Sequence, residues 1–290
     1  MKMKNKHFII SFVVMLLIST LSASANDSVE ATTVSETQFE ASAESDTIVA
    51  KVRVKPTFED FTTTLKGFGY GYRMGFTIGG ITPVPLPAEI REMVSFSPNG
   101  AFMQEIYGYK MLGEKQRLGI YFGERLAIEG MNAEARVKNY SMSIEQDGDY
   151  ISGYFTGIDK TEAKLISLKL PLEFMVRVSP RLDFRVGPYA QINLHKEFKG
   201  EVYDGYLREG NPTGQKIVFS DGSTASYDFS NDVKNFISGA EVAADFKINK
   251  YFGVFGNLDL GFGSVFPENF ETITFKMYPI FFSLGLFVGI

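Results

Sequence analysis

The sequence contains no cysteine and only two histidines among its 290 residues. Without cysteine the chain forms no disulfide and carries no cysteine-linked lipid anchor. Basic residues are in the minority, at 29 Lys and Arg against 34 Asp and Glu. Because nucleic-acid binding needs a basic surface, this balance argues against a nucleic acid partner. Beyond the N-terminal region, no apolar run reaches the roughly 20 residues that a membrane-spanning helix needs.

The first 25 residues have the pattern of a secretory signal peptide. Lysines among the first six residues precede an apolar run at 8–18, and the small residues at 23–25 fit a cleavage site. The chain is therefore expected to be exported. Residues 26–57 are rich in Ser, Thr, Ala and Glu, and we expect a flexible acidic spacer there.

From residue 62 onward, apolar residues recur at every second position, which is the spacing of a β-strand. In LISLKLPLEFMVRV, residues 165–178, every even-numbered position is apolar, while Lys169, Glu173 and Arg177 share the other face. The same scheme marks seven further segments, of which 101–112 is the weakest: 67–79, 101–112, 118–129, 182–195, 240–248, 252–262 and 278–290.

The connections between these segments alternate in length. Short ones lie near 113–116, 179–181 and 249–250, and long ones run over 81–99, 132–160, 196–232 and 266–273. Short turns at one end and long loops at the other, with an even number of strands, are typical of a transmembrane β-barrel. For residues 58–290 we therefore predict an all-β fold, an eight-stranded antiparallel up-and-down transmembrane β-barrel with short periplasmic turns and long outer loops. We expect it to be a monomer surrounded by outer-membrane lipid.

A soluble lipocalin-like barrel is the alternative, with the apolar positions lining a ligand cavity. The glycines and charges of both signs on the other positions favour the membrane barrel, since they suit a crowded interior. Six or seven large apolar residues per strand would also overfill a ligand cavity.

Six basic and six acidic residues fall on the predicted inner face: Arg73, Arg125, Lys169, Arg177, Arg185, Lys247, Glu129, Glu173, Asp183, Glu241, Asp245 and Asp259. Buried charges must pair or form hydrogen bonds, and side chains can fill the interior of an eight-stranded barrel. The sequence therefore predicts a barrel plugged by an ion-pair network, not an open diffusion pore.

Four residues do not fit a regular strand. Glu124 falls on the lipid-facing positions, where an unpaired charge is costly unless a bulge turns it inward. Pro171, Pro188 and Pro279 lie within strands although proline cannot donate a ladder hydrogen bond, so we predict bulges near them.

The long loops contain further signals. Asp-Gly pairs at 147–148 and 221–222 lie between β-prone runs and predict hairpins with type I′ turns. The prolines of 81–87 predict an extended entry followed by one helical turn at 88–93. Tyrosines in the two ribbons either pack them together or contact an envelope or extracellular protein partner: Tyr140, Tyr150, Tyr154, Tyr203, Tyr206 and Tyr227.

Signals for an enzyme are weak, and we assign no catalytic, cofactor-binding or metal-binding residue. His195 is the one histidine beyond the signal peptide, and an outer-membrane hydrolase using it remains a third alternative. Its position at the end of an inward strand face favours a simple hydrogen-bonding role. The acids near 145–159 could bind Ca²⁺ only weakly.

Two short motifs carry a family resemblance. Leu170-Pro171-Leu172 and Gly187-Pro188-Tyr189, separated by a short turn, resemble the paired central strands of PorT-like small outer-membrane β-barrel proteins, and the final FFSLGLFVGI resembles their closing strand. The resemblance covers roughly residues 60–290. It implies an eight-stranded outer-membrane barrel without established catalytic residues, and a link to protein secretion machinery that holds for some relatives.

Overall fold

The computed structural model describes residues 67–99, 101–146, 149–220, 222–270 and 272–289. Within them the chain forms a 3-10 turn at Ser230–Asp232 and eleven strands: β1 (Phe68–Pro83), β2 (Ile90–Pro98), β3 (Ala101–Leu112), β4 (Leu118–Gln146), β5 (Asp149–Arg177), β6 (Leu182–Glu209), β7 (Lys216–Phe219), β8 (Ala225–Asp228), β9 (Phe236–Lys247), β10 (Phe252–Gly261) and β11 (Met277–Gly289). The predicted signal peptide and spacer lie outside the described residues. No helix of the described chain is long and apolar enough to cross a membrane.

The strands pair antiparallel throughout. Eight long strands follow one another in the order β1, β3, β4, β5, β6, β9, β10 and β11, each bonded to the next. β11 also pairs with β1, from Gly71–Gly289 to Pro83–Met277, so each of these eight strands has two neighbours. The eight predicted segments overlap these strands, although β4, β5 and β6 extend well beyond them, and the predicted all-β antiparallel fold is confirmed.

The eight strands keep apolar side chains on the exposed face and charged side chains on the buried face. Phe76 is 72% exposed and Leu284 is 59% exposed, whereas Arg73, Lys169 and Glu241 are buried. A water-soluble barrel would have the opposite arrangement, because exposing apolar area to water costs about 25 cal/mol per Å². The lipocalin-like alternative, which places the apolar positions inside, is therefore wrong.

Two of the three prolines lie at gaps in the hydrogen-bond ladder, and none of them shifts its register. The β4–β5 ladder skips Leu170 and Pro171, the β5–β6 ladder skips Gly187 and Pro188, and both resume in the same register. Pro188 and Pro279 keep their places opposite β9 and β1, again without a shift. The bulges predicted near these three residues do not form, because a missing N–H costs a ladder bond but needs no inserted residue.

Glu124 stays on the exposed face. It lies opposite Ile106 in the β3–β4 ladder, whose register is continuous, so no bulge turns it inward. Its carboxylate therefore stands among the apolar side chains of the outer surface.

Strands β4, β5 and β6 are much longer than a membrane crossing requires. They contain 29, 29 and 28 residues, whereas a tilted spanning strand needs about 10. Their extensions enclose an apolar core, the ribbon core, which includes Val137, Tyr140, Met142, Ile144, Phe155, Phe198, Val202, Leu207, Phe219, Tyr227 and Phe229. β4 and β5 pair as far as Gln146–Asp149, as a hairpin at 147–148 requires, and the turn itself lies outside the described residues.

Two predicted local structures in the long loops are wrong. β7 and β8, on either side of 221–222, each pair with β6 and not with each other, because the extended β6 offers them a longer edge. Residues 88–93 do not form a helical turn, since β2 begins at Ile90 and pairs with β4. The neighbouring prolines obscured this strand in the sequence.

Candidate functional site

The buried face of the eight strands carries three groups of ion pairs. All twelve charged residues predicted for the interior take part in them, because strand periodicity of two puts each of them on the same side: Arg73, Arg125, Glu129, Lys169, Glu173, Arg177, Asp183, Arg185, Glu241, Asp245, Lys247 and Asp259. A thirteenth member, Glu105 on β3, was not predicted. Seven acids thus face six bases.

Arg125 on β4 connects three other strands. Its Nε donates to Glu105 Oε2 at 2.6 Å, and its two terminal nitrogens reach Glu241 at 2.8 Å and Asp259 at 3.4 Å. The Arg125 side chain is 1% exposed. A planar guanidinium with five donors suits this role, since it can satisfy several carboxylates in fixed directions.

Lys169 on β5 extends the same network. Its Nζ contacts Asp259 Oδ2 at 2.6 Å and also Glu129. The ammonium lies 5.3 Å from the ring centroid of Tyr189, within cation–π distance. Arg125 and Lys169 therefore share Asp259 as a common acceptor.

A second group is centred on Asp245 of β9. Arg73 binds it through two hydrogen bonds of 2.9 and 2.6 Å, and Arg185 donates its Nε at 2.9 Å. Arg185 also pairs with Glu173. The guanidinium of Arg185 stacks 4.0 Å from the ring centroid of Tyr121, whose hydroxyl donates to the first group.

At the short-turn end of the interior, the third group of ion pairs is centred on Asp183. Arg177 contacts this carboxylate at 2.9 Å and Lys247 at 2.6 Å. A cavity of about 50 Å³ lies nearby, lined partly by Arg73 and Asp245. It has room for a few water molecules, while ligand pockets usually exceed about 300 Å³.

His195 does not lie on the inner face as predicted. The β5–β6 register shifts at Leu194, since Ile166 pairs with His195 while Ser167 pairs with Asn193. The shift turns the His195 ring outward, where it contacts Glu197 at 2.9 Å. No catalytic partner touches it among the hydrogen bonds of the described chain.

The outer tyrosines divide into two groups. Tyr140 and Tyr227 are buried in the ribbon core, so their side chains are not available to a partner. Tyr150 is 77% exposed, and Tyr154, Tyr203 and Tyr206 are partly exposed. The hydrogen bond from Tyr203 to Glu134, at 2.9 Å, holds one of these rings in place.

A carboxyl group, that of Asp159, is buried beside the apolar side chains of the ribbon core. Asp159, one of the acids near 145–159, is buried and accepts a hydrogen bond of 2.9 Å from the Tyr227 hydroxyl. Thr161 bonds to the same hydroxyl at 2.7 Å. Burial without a cation raises the pKa of Asp159 to about 7. The described residues contain no group of three His, Asp or Glu that could hold a metal ion.

Comparison with known proteins gives one family match and distant structural similarities. Residues 45–267 match the family model described as outer membrane protein beta-barrel domain. Two structures of Ail, the attachment invasion locus protein of Yersinia pestis, are similar at 9% and 8% identity with TM-scores of 0.34 and 0.31, and the second contains the heparin analogue sucrose octasulfate. Both alignments cover 77% of this chain and 99% of Ail. The monoaromatic hydrocarbon channel CymD is similar at 7% identity and a TM-score of 0.14, over 80% of this chain and 90% of CymD. A search of curated proteins found no match.

Proposed function

This chain belongs to the family of outer membrane protein beta-barrel domains, and on that premise we propose that it is a sealed, eight-stranded transmembrane barrel that carries a protein-binding ribbon. The pairing of β11 with β1 and of β4 with β5 supports closure of the eight strands. The exposed apolar face supports contact with outer-membrane lipid all round the barrel.

The ion pairs of the buried face carry the proposal that the barrel is sealed. Arg125 alone joins carboxylates from β3, β9 and β10, so its side chain crosses the interior. Arg73 is enclosed by aromatic rings at the short-turn end, with Tyr107 at 4.5 Å and Phe255 at 5.2 Å from the guanidinium. A solute would have to break these contacts in order to pass.

We therefore expect purified protein in planar lipid bilayers to show no large, stable conductance steps. The protein must first show heat-modifiable migration on a gel, which demonstrates a folded barrel in the same preparation. Ohmic steps of the size that a water-filled porin gives, in a heat-modifiable sample, would contradict the sealed interior.

The ribbon formed by β4, β5 and β6 beyond the membrane carries the proposed role. The exposed Tyr150 and the partly exposed Tyr206 offer aromatic contact area, which protein interfaces favour. We propose an envelope or extracellular protein partner for this surface. The PorT-like motifs support a place beside protein secretion machinery, and a structural role without enzymatic activity fits the outward position of His195, which contacts Glu197.

Shortening the ribbon tests this role. Replacement of residues 141–154 by an Asn-Gly turn takes out the paired tip, from Ser141–Tyr154 to Gln146–Asp149, and leaves the β4–β5 ladder below Val137 in place. We expect normal heat-modifiable protein in the outer membrane, together with the same secretion or envelope defect that a strain lacking the whole protein shows. The matched control replaces the exposed loop 211–214 with a flexible linker of equal length. An unchanged phenotype in the shortened variant would exclude the tip as the binding surface.

A further inference from the structure

The short-turn end of the barrel bears a basic rim in an otherwise acidic protein. We define the basic rim as Lys110, Lys115, Arg117, Arg181 and Lys250, all exposed and all in or close to the three short connections. Among the described residues of this end, Glu114 is the exposed acid that accompanies them. The whole chain has a net charge of −5, so this local excess of positive charge is not a consequence of composition.

Within the described residues, the cations of the basic rim form no ion pair with an acidic side chain. None of the five occurs in the ion pairs there, and Asp183, a buried acid at the same end, is already bound by Arg177 and Lys247. Lys110 and Lys250 instead lie over aromatic rings, at 4.9 Å from the Phe68 ring and 5.4 Å from the Tyr251 ring. Their charges are therefore free to meet an external anion.

The position of the basic rim relative to the apolar surface indicates which anion. Leu112 and Leu118 flank the first turn, Val178 the second, and Ile248 and Phe252 the third, and all five side chains are exposed. These residues end the lipid-facing surface, so the cations stand where a bilayer changes from acyl chains to headgroups. Lysine and arginine side chains commonly extend towards that layer.

At the long-loop edge of the membrane-facing surface, β5 and β6 show no such excess of positive charge. On β5 and β6 the outward charges alternate, so that Lys164, Glu162 and Lys160 lie opposite Glu197, Lys199 and Glu201. Lys160 and Glu201 form an ion pair of 2.8 Å. Charges at the long-loop edge are thus largely balanced within the protein.

We propose that the basic rim binds the phosphate groups of anionic phospholipids in the periplasmic leaflet. The proposal rests on the transmembrane orientation proposed above, in which short turns face the periplasm. The three turns belong to the β3–β4, β5–β6 and β9–β10 connections, which are spaced round the sequence of paired strands. Lipid headgroups also surround a barrel on all sides, so they can reach cations at all three turns. An acidic protein segment would bind at one place and would need the cations clustered there.

Spin-labelled lipids in reconstituted vesicles test the proposal. With the full chain in phosphatidylcholine vesicles, we expect spin-labelled phosphatidylglycerol to be preferred at the protein surface over spin-labelled phosphatidylcholine by roughly fivefold, which corresponds to one cation per headgroup. Salt at about 1 M should remove most of this preference, since it shortens the screening length to about 3 Å.

Two charge-matched variants locate the effect. The rim variant combines Lys115→Gln, Arg117→Gln, Arg181→Gln and Lys250→Gln, and we expect it to lose the preference. The control combines Arg136→Gln, Lys138→Gln, Lys164→Gln and Lys199→Gln at the long-loop edge, and we expect it to keep the preference. Equal loss in both variants would mean that total charge is responsible, which would overturn the proposal.

Two other results separate this inference from the proposed barrel. The protein could be heat-modifiable and yet show no lipid preference, or show the same preference in the rim variant. Either result would overturn the lipid inference alone and would favour an acidic protein segment as the ligand of the basic rim. A protein that never becomes heat-modifiable in vesicles would overturn the barrel and the lipid inference together.

Discussion

Replacing Arg125 by methionine is expected to lower the free energy of unfolding by about 3–5 kcal/mol, the usual cost of removing one partner from a buried ion pair. Arg125 satisfies Glu105, Glu241 and part of Asp259, and all three carboxylates are at most 2% exposed. Methionine fills similar volume but leaves these acids without their donor. Urea unfolding of the protein in lipid vesicles, followed by the heat-modifiable band, measures the loss.

Two variants show whether charge or packing causes the effect. Arg136 forms an ion pair of 3.5 Å with Glu92 while both side chains are more than half exposed, so Arg136→Met should cost less than about 1 kcal/mol. Adding Glu105→Gln and Glu241→Gln to Arg125→Met should recover much of the stability, since it removes the uncompensated charges. A triple variant no more stable than Arg125→Met would show that lost packing dominates.

The ribbon core is expected to lose stability as pH rises from about 4 to about 7. Burial raises the pKa of Asp159 from 3.8 to about 7, so the folded ribbon holds a proton that the unfolded segment releases above its ordinary pKa. Below about pH 4 the carboxyl is neutral in both forms, and the folded ribbon keeps its full stability. As pH rises to 7 the free energy of unfolding falls by up to about 4 kcal/mol, and it falls no further above that pH. Tyr227 and Thr161 supply hydroxyl hydrogen bonds but no compensating positive charge.

Amide hydrogen exchange at β8 measures this change, because Tyr227 on β8 bonds directly to Asp159. We expect faster exchange of residues 225–228 at pH 7 than at pH 5 after correction for the intrinsic rates. Asp159→Asn should remove the difference, and Glu209→Gln, at an exposed ribbon position, should leave it intact. A corrected rate that does not vary with pH in the wild type would contradict a shifted Asp159.

The positions of the strands, and the face on which each side chain lies, were predictable wherever every second residue is apolar. In residues 165–178 that rule assigns Lys169, Glu173 and Arg177 to one face, and all three occur in ion pairs. Glu105 was missed because β3 carries apolar residues on both faces, including the buried Met103 and the outward Ile106, which weakens the period-two signal.

Features set by irregular backbone or by distant strands were not predictable. The shift at Leu194 turns His195 outward, and no local residue pattern announces it. β8 pairs with β6 and also meets β4 at Glu145–Ser226, a choice between edges that depends on the assembled ribbon. Burial of Tyr140 and Asp159 follows from that assembly, so their surroundings could not be read from neighbours in the chain.

The ladder between β1 and β11 has a consequence for the order of folding. It brings Gly71 next to Gly289, so the first long strand has no second neighbour until the last strand arrives. Contacts this distant in sequence slow folding, because the entropy of closing the chain is lost before the hydrogen bonds form. During synthesis and export β1 and β10 both keep an open edge that other chains can pair with. Accessory proteins that shield those two edges would matter most in the interval before β11 is added.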